Sequence, residues 1–274
     1  MLSSLLELIS DPVVLGWGLG CTVVQGLSYL LFSKALPDGP WKKQPSFTAH
    51  QFVAFIMMVY CFAFGAKIWF IDPPCEDCIF DVSEQGLFLS KIVIGGMLFW
   101  DIPVGLVSDG LGDPIMLAHH VGLLLVASLT YGVHTSQPIG TCYAAFFFGV
   151  IELSSIPLAI VDIFHPKQVA WHDWHKQYPF IMTLNELSRV VFVLLYFLTR
   201  MVYFPYMALV RAIPDYYGGI SKTDETGVKV TLWSIVVFCV LFTCLQLYWG
   251  SLIIRQVQKA LAGDKPKTDE TKKD

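Results

Sequence analysis

The sequence predicts an all-α protein, a polytopic membrane helix bundle of about seven transmembrane helices. Two observations carry this fold class. Of the 274 residues, 55% are hydrophobic and only 15% are charged, whereas a soluble domain usually carries about 25% charged residues. The apolar residues also gather in runs of about 20 or more, the length that a helix needs to cross a hydrocarbon layer about 30 Å thick.

Each predicted segment is an apolar run bounded by polar or turn-forming residues. The first, fourth and last runs contain no Asp, Glu, Lys or Arg, and the other four contain one to three of these residues each. The predicted segments are residues 12–32, 49–71, 86–107, 114–133, 139–164, 180–203 and 230–254. This division leaves little chain for a separate soluble domain, and the net charge of −4 argues against nucleic acid as a partner.

The distribution of basic residues predicts the orientation of the bundle, because cytosolic loops carry an excess of Lys and Arg. The N-terminus and the second loop contain no basic residue, whereas the sixth loop is an exception to the pattern. Basic residues cluster in the first loop, in the fifth loop and after the last segment: Lys34, Lys42, Lys43, Lys167, Lys176, Arg255, Lys259, Lys265 and Lys267. We therefore expect a lumenal or extracellular N-terminus and a cytosolic C-terminus.

Two of the seven cysteines stand outside the apolar runs. Cys75 and Cys78 lie in the acidic second loop, which the predicted orientation places on the oxidising side of the membrane. A local disulfide is the favoured interpretation. A metal site would need a second pair of ligands, and none is evident nearby.

Ionisable side chains inside apolar segments are costly, so they mark candidate functional residues. Asp101, His119 and His120 lie about six residues from the cytosolic ends of segments three and four. Glu152 lies near the middle of segment five. Three further polar residues stand just inside the cytosolic end of segment six: Asn185, Glu186 and Arg189. At 1.5 Å of rise per residue, most of these groups fall roughly 8–18 Å below the cytosolic surface, which predicts a polar cavity open to the cytosol.

The available chemistry is acid–base or nucleophilic. Adjacent histidines point about 100° apart on a helix, so His119 and His120 are expected to act differently. One would serve as nucleophile or general base, and Asp101 or Glu152 would orient its imidazole. Arg189 would bind a phosphate or a carboxylate. The alternative is that these groups only pair with one another as polar contacts between helices, as expected for Gln25 and Gln246.

The HDWH stretch, which contains His172 and His175, is an alternative place for a metal ion. The stretch lies in a predicted cytosolic loop, and its tryptophans are typical of a membrane interface. No metal ligand is therefore assigned.

Several stretches resemble the TLC-domain family, which includes the ceramide synthases. The resemblance extends over residues 46–255, leaving an N-terminal transmembrane helix and loop at 1–45 and a polar cytosolic tail at 256–274. Its most specific element is DPIMLAHH, which ends in His119 and His120. The other matching stretches are SFTAH, WDIP, IELSSIP, LNELSR and FLTRMVYFP.

The resemblance implies a helical membrane fold, a location in the endoplasmic reticulum or a related secretory membrane, and a role in lipid metabolism. Ceramide synthases join a long-chain acyl-CoA to a sphingoid base, and His119 and His120 match their paired catalytic histidines. Their H-D-x-x-D element is replaced here by FFFGVIELSS, in which Glu152 is the one acidic residue. The chain thus looks closer to the TLC-domain proteins that are not synthases.

Two functions follow from this comparison. The first is acyl transfer with acyl-CoA as co-substrate and no bound cofactor, with His119, His120, Asp101 and Glu152 as the catalytic residues and Asn185, Glu186 and Arg189 in substrate binding. The second is a non-catalytic lipid-binding regulator of membrane composition or a translocation-associated protein. Membrane lipids are the expected partners in both cases.

Overall fold

The computed structural model describes residues 2–71, 73 and 79–262. The described chain is all-helical, as the composition predicts. Six helices within it are long and apolar enough to cross a membrane, and a bent pair of helices forms a seventh candidate span.

The chain forms thirteen α-helices within the described ranges. They are α1 (Leu2–Ser10), α2 (Pro12–Leu30), α3 (Pro40–Lys43), α4 (Pro45–Phe70), α5 (Glu84–Gly96), α6 (Ile102–Val107), α7 (Pro114–Tyr131), α8 (Ala144–Phe147), α9 (Ser155–Ile163), α10 (Val169–His175), α11 (Pro179–Tyr196), α12 (Ile213–Ser221) and α13 (Thr226–Leu261). The π-helical segments are Leu31–Ala35, Met97–Asp101, Phe197–Tyr203 and Tyr206–Ala212, and the 3₁₀ turns are Thr141–Tyr143 and Val150–Leu153.

Aspartate followed by proline starts two of the membrane helices. Asp11 accepts hydrogen bonds from the amides of Val13 and Val14 at the start of α2, and Asp113 caps α7 in the same way. Proline suits the first helical position because its missing N–H would have no intrahelical partner there. The sequence therefore specifies where these helices begin.

Two hydrogen bonds identify the opposite ends of the bundle. Gly140 N donates to Ile79 O at 2.8 Å, which joins the loop after α7 to the loop before α5; we call this the Ile79 end. Gln44 Nε2 donates to Gln168 Oε1 at 2.7 Å, which joins the loop before α4 to the segment between α9 and α10; we call this the Gln168 end.

The fifth predicted segment, residues 139–164, is not one continuous helix. It consists of Thr141–Leu153 and Ser155–Ile163, which meet at an angle of 40°. A Cβ on Gly65 of α4 would lie 2.6 Å from Gly149 Cα, so the backbones of α4 and the bent pair touch there. The pair nevertheless starts beside the Ile79 end and finishes beside the Gln168 end, so it passes through the bundle.

Small residues bring α2 and α5 into backbone contact. A Cβ on Gly18 would lie 2.5 Å from Gly95 O. A Cβ on Gly95 would overlap the carbonyl of Val14. Close packing through glycine is typical of membrane helices, since lipid tails remove the hydrophobic driving force between helices.

A π-helical turn links α5 to α6. Pro103 has no N–H to bond the carbonyl four residues earlier, which belongs to Phe99. Thr22 Oγ1 of α2 donates to that carbonyl at 2.8 Å. The neighbouring helix thus satisfies the backbone oxygen that proline leaves without its usual partner.

Candidate functional site

Asp101 lies between two histidines from different helices. His50 Nε2 of α4 lies 2.9 Å from Asp101 Oδ1, and His120 Nδ1 of α7 contacts Asp101 Oδ2. The Asp101 side chain is only 7% exposed. One carboxylate therefore orients two imidazoles, and we call these three residues the Asp101 cluster.

The helices around the Asp101 cluster hold it from several sides. Asp101 is the last residue of the π-helical segment Met97–Asp101. The ring of the preceding residue, Trp100, stacks on His50 with centroids 5.0 Å apart. Its Nε1 donates to Gln25 Oε1 of α2 at 3.3 Å, and Gln25 Nε2 donates to the Ser46 carbonyl at 3.2 Å. Gln25 forms the interhelical hydrogen bonds expected from the sequence.

His119 faces another direction, as expected for a residue adjacent to His120 on one helix. Its ring meets the rings of Phe242 and Trp249 of α13 edge to face, with centroids 5.4 and 5.3 Å away. It forms no hydrogen bond with the Asp101 cluster, although its ring centroid lies 5.6 Å from that of His120. The two histidines therefore offer different chemistry.

A cavity begins at His119. Its wall is mainly apolar, with residues of α7 and α13 spaced mostly three or four apart along facing sides. The residues that line these two sides are His119, Leu123, Val126 and Thr130 on α7, and Ile235, Phe238, Cys239, Phe242 and Gln246 on α13. On each helix this line covers eleven residues of rise, or about 16 Å. Its shape and polarity suit a hydrocarbon chain that extends from His119 toward the Ile79 end.

Glu152 lies nearer to an arginine than to a histidine. Arg200 Nη2 is 3.7 Å from Glu152 Oε2. Arg200 also donates from Nε to Ser154 Oγ and from Nη2 to Ser155 Oγ, both at 2.9 Å. Arg200, Glu152, Ser154 and Ser155 form a second polar group, the Arg200 cluster.

The three residues predicted to bind substrate lie apart from the cavity and from both clusters. Arg189 Nε is 3.5 Å from Asn185 Oδ1 and 3.8 Å from Glu186 Oε1 on the same helix. The Glu186 side chain is 71% exposed and that of Arg189 is 41% exposed. Asn185 is fully buried. The anion-binding role predicted for Arg189 therefore has no support from the cavity geometry.

Two site residues were missed by reasoning from the sequence. They are His50, at the start of an apolar run, and Arg200, which lies deeper in its run than Arg189. Both stand in stretches that resemble the family, SFTAH and FLTRMVYFP. The available signal was therefore a charged or titratable residue within each matching stretch.

The remaining candidates take no part in these clusters. His172 Nδ1 lies 3.0 Å from the Phe164 carbonyl, and His175 packs its ring against Phe164. Among residues 2–71, 73 and 79–262, no group of three His, Cys, Asp or Glu side chains is arranged to hold a metal ion. Cys75 and Cys78, the predicted disulfide pair, lie outside the described residues.

A family model described as the TLC domain matches residues 47–255, well over half of the chain. No curated protein and no solved structure matches significantly.

Proposed function

Because the chain belongs to the TLC-domain family, we propose that it acts on membrane lipids by acyl transfer. The acyl donor is a long-chain thioester such as acyl-CoA. The acceptor is a lipid amine or hydroxyl, with a sphingoid base as the first candidate. The observation that carries the proposal is the apolar cavity that begins at His119, next to the Asp101 cluster.

His120 is the proposed general base. Its Nδ1 faces Asp101, which fixes the ring and stabilises the imidazolium, as the acid does in a catalytic triad. His120 is the more accessible histidine of the cluster, with a side chain 23% exposed compared with 10% for His50. It is therefore the member best able to exchange a proton with a substrate.

The proposed reaction balances without a redox partner. His120 Nε2 takes a proton from the acceptor N–H or O–H as that atom attacks the thioester carbonyl carbon. The C–S bond then breaks, and the thiolate leaves with the proton returned by the imidazolium. The acyl chain occupies the cavity, with its carbonyl carbon near His119.

The proposed membrane is the endoplasmic reticulum or a related secretory membrane, with the Gln168 end in the cytosol. The Asp101 cluster lies near that end. Ser46 precedes His50 by four residues and Ser108 follows Asp101 by seven, and the hydroxyl oxygens of these two serines are 2.5 Å apart at the Gln168 end. On this proposal, a soluble acyl-CoA in the cytosol would approach the cluster from the Gln168 end.

An acyl-transfer assay on purified, detergent-solubilised protein tests the proposal. Labelled long-chain acyl-CoA is offered with a panel of sphingoid and lysophospholipid acceptors. We expect a labelled product that falls by at least about 100-fold in Asp101→Asn, because the imidazole loses its charged partner. His134→Ala, which removes an exposed loop histidine, should leave the rate unchanged. Equal rates in wild type and Asp101→Asn would exclude this mechanism.

A second candidate is a lipid-binding protein without catalysis. It is favoured by the separation between the cavity, which is lined by His119, and the Asp101 cluster, whose residues do not line it. On this proposal the cluster only joins α4, α5–α6 and α7. Folded protein that retains a co-purified lipid and yields no product across the panel would select this candidate.

A further inference from the structure

Gln246 is a polar residue in the apolar wall of the cavity. It lies on α13, is 1% exposed, and lines the cavity together with His119. Burial of an amide without a hydrogen-bond partner is costly. Each polar atom of this side chain therefore needs a partner or a ligand.

Tyr196 accounts for one of those atoms. Its hydroxyl lies 3.1 Å from Gln246 Oε1 and 2.9 Å from the Gln246 backbone oxygen, and it faces both as a donor. Tyr196 belongs to α11 and is itself 4% exposed. The amide oxygen of Gln246 is thus held toward α11.

The amide nitrogen has a different environment. Gln246 Nε2 forms no hydrogen bond with any residue that the structure describes. The atom is also not completely enclosed by protein atoms, unlike the fully buried polar atoms that lack a hydrogen-bond partner. Since Oε1 is turned toward Tyr196 and the side chain lines the cavity, Nε2 is the polar atom that the cavity exposes. It is an oriented N–H donor in an apolar wall.

We propose that Gln246 Nε2 donates a hydrogen bond to the carbonyl oxygen of an acyl group whose hydrocarbon chain fills the cavity. The ligand class is a long-chain acyl compound, such as a thioester or an ester, rather than a plain hydrocarbon or an ether. The inference rests on the proposed function, because it assumes that the cavity holds an acyl chain. It adds a residue that selects the carbonyl and positions it beside His119.

The position of the donor agrees with this role. Gln246 and Phe242 are one helical turn apart on α13, and His119 packs its ring against Phe242. Beyond them, Cys239 and Ile235 continue the apolar line toward the Ile79 end. A chain with its carbonyl at Gln246 would therefore extend away from the polar clusters and along hydrocarbon side chains.

Equilibrium binding to the purified full-length protein tests the inference without requiring turnover. The two probes are a labelled long-chain acyl methyl ester and an alkyl methyl ether of equal length, which lacks the carbonyl. We expect wild type to prefer the ester by about three- to tenfold, the range that one net hydrogen bond supplies. Gln246→Leu should remove the preference and leave ether binding within about twofold.

Two further variants keep the test informative. Tyr196→Phe removes the group that orients the amide, so the ester preference should fall while the cavity wall keeps its shape. Thr243→Val changes a buried polar residue of α13 whose hydroxyl bonds its own helix, to Cys239 O at 2.7 Å. This control should keep the full preference. Monodispersity and thermal unfolding are checked for each protein.

The outcomes separate this inference from the proposed function. An ester preference that survives in Gln246→Leu overturns the role of Gln246 and leaves the acyl cavity intact. A long-chain amine or alcohol that binds better than the ester, through a Gln246-dependent contact, shows that the oxygen of the amide faces the cavity instead and also overturns it. If neither ester nor ether binds wild type, the cavity does not hold an acyl chain, and both proposals fail.

Discussion

Two arginines of one helical region illustrate how burial decides the importance of a charge. Arg200 has a side chain 8% exposed and engages Glu152, Ser154 and Ser155. Arg189 stands 11 residues earlier, with a side chain 41% exposed and only weak contacts to Asn185 and Glu186. Removal of one partner from a buried ionic group leaves the other partners poorly solvated, whereas an exposed pair contributes little.

The same substitution at these two positions should therefore have unequal effects. We expect Arg200→Met to lower the free energy of unfolding by about 2–3 kcal/mol, because Glu152 and two buried hydroxyls lose their donor. Arg189→Met should change it by less than about 0.5 kcal/mol. Thermal unfolding in detergent measures both, and a loss below about 0.5 kcal/mol in Arg200→Met would show that the Arg200 cluster does not stabilise the fold.

At the Ile79 end, Asp11 forms an ion pair that combines with helix capping. Asp11 Oδ2 lies 2.8 Å from Lys91 Nζ of α5. Burial opposes ionisation of Asp11, but Lys91 and the amides of Val14 and Val13 outweigh it and hold the pKa of this carboxyl below its usual value. Lys91 Nζ also lies 5.7 Å from the centroid of the Tyr131 ring. Three helices are joined at this point.

The lowered pKa of Asp11 predicts a pH-dependent contribution to stability. Because the pKa is lower in the folded chain, the contribution is complete above the usual carboxyl pKa of about 3.9 and is lost as pH falls through the folded value. Asp11→Asn keeps a good N-cap and removes the charge. We expect it to lower the unfolding temperature at pH 7, with a difference from wild type that shrinks progressively as pH falls below about 4.

A surface pair provides the control for this prediction. Asp38 forms an ion pair with Lys42 at 2.8 Å while its own side chain is fully exposed. Asp38→Asn should leave the unfolding temperature unchanged at pH 7. A pH-independent effect of Asp11→Asn would instead assign the loss to altered capping.

The sequence predicted which residues are polar within the membrane but not how they pair. One histidine of the His119–His120 pair was expected to meet Asp101 or Glu152, without a choice between them. The structure places His120 on Asp101 and pairs Glu152 with Arg200. His50 completes the Asp101 cluster. Hydropathy reports the depth of a residue along its helix. The direction in which the residue faces depends on how the helices pack. Contacts between helices set that direction, for example the stacking of the Trp100 ring on His50.

At the scale of helices, the contact between α2 and α5 depends on glycine. Gly95 of α5 meets the backbone of α2 so closely that any side chain there would overlap the Val14 carbonyl. Gly16, also on α2, faces open space with no atom within 4 Å of the position of a Cβ. The two glycines are therefore a matched pair for testing the contact.

We expect Gly95→Ala to destabilise the protein by about 1–3 kcal/mol, the usual cost of overpacking against a backbone that cannot move aside. Gly16→Ala should be neutral or stabilising by up to about 1 kcal/mol, since alanine is the better helix former. Thermal unfolding of the two variants beside wild type measures the difference. Tolerance of Gly95→Ala would mean that α2 and α5 are free to separate.

Across the whole molecule, the number of crossings determines where the termini lie. The bent pair runs from the Ile79 end to the Gln168 end, so it is the seventh candidate span beside the six apolar helices of the described chain. Apolar length alone predicted these spans, but it did not predict the 40° bend, because hydropathy carries no information on the angle between successive helical segments.

Seven passages predict termini on opposite sides of the membrane. With the basic loops in the cytosol, a C-terminal epitope tag should be digested by protease added to sealed microsomes, and an N-terminal tag should be protected. Digestion of both tags before the vesicles are permeabilised would show that the bent pair does not cross. The reverse pattern would overturn only the assignment of the Gln168 end to the cytosol.

The π-helical segments have a consequence for comparing this chain with related genes. Asp101 and Arg200 both lie in such segments, and a π turn holds one residue more than the α turn it interrupts. A single inserted codon is enough to create one, and its loss would turn everything beyond it by about 100° along the helix. Alignments across WDIP or FLTRMVYFP must therefore permit a one-residue gap. Without that gap, a gene in which Asp101 or Arg200 has moved by one position would be misread as one that had lost it.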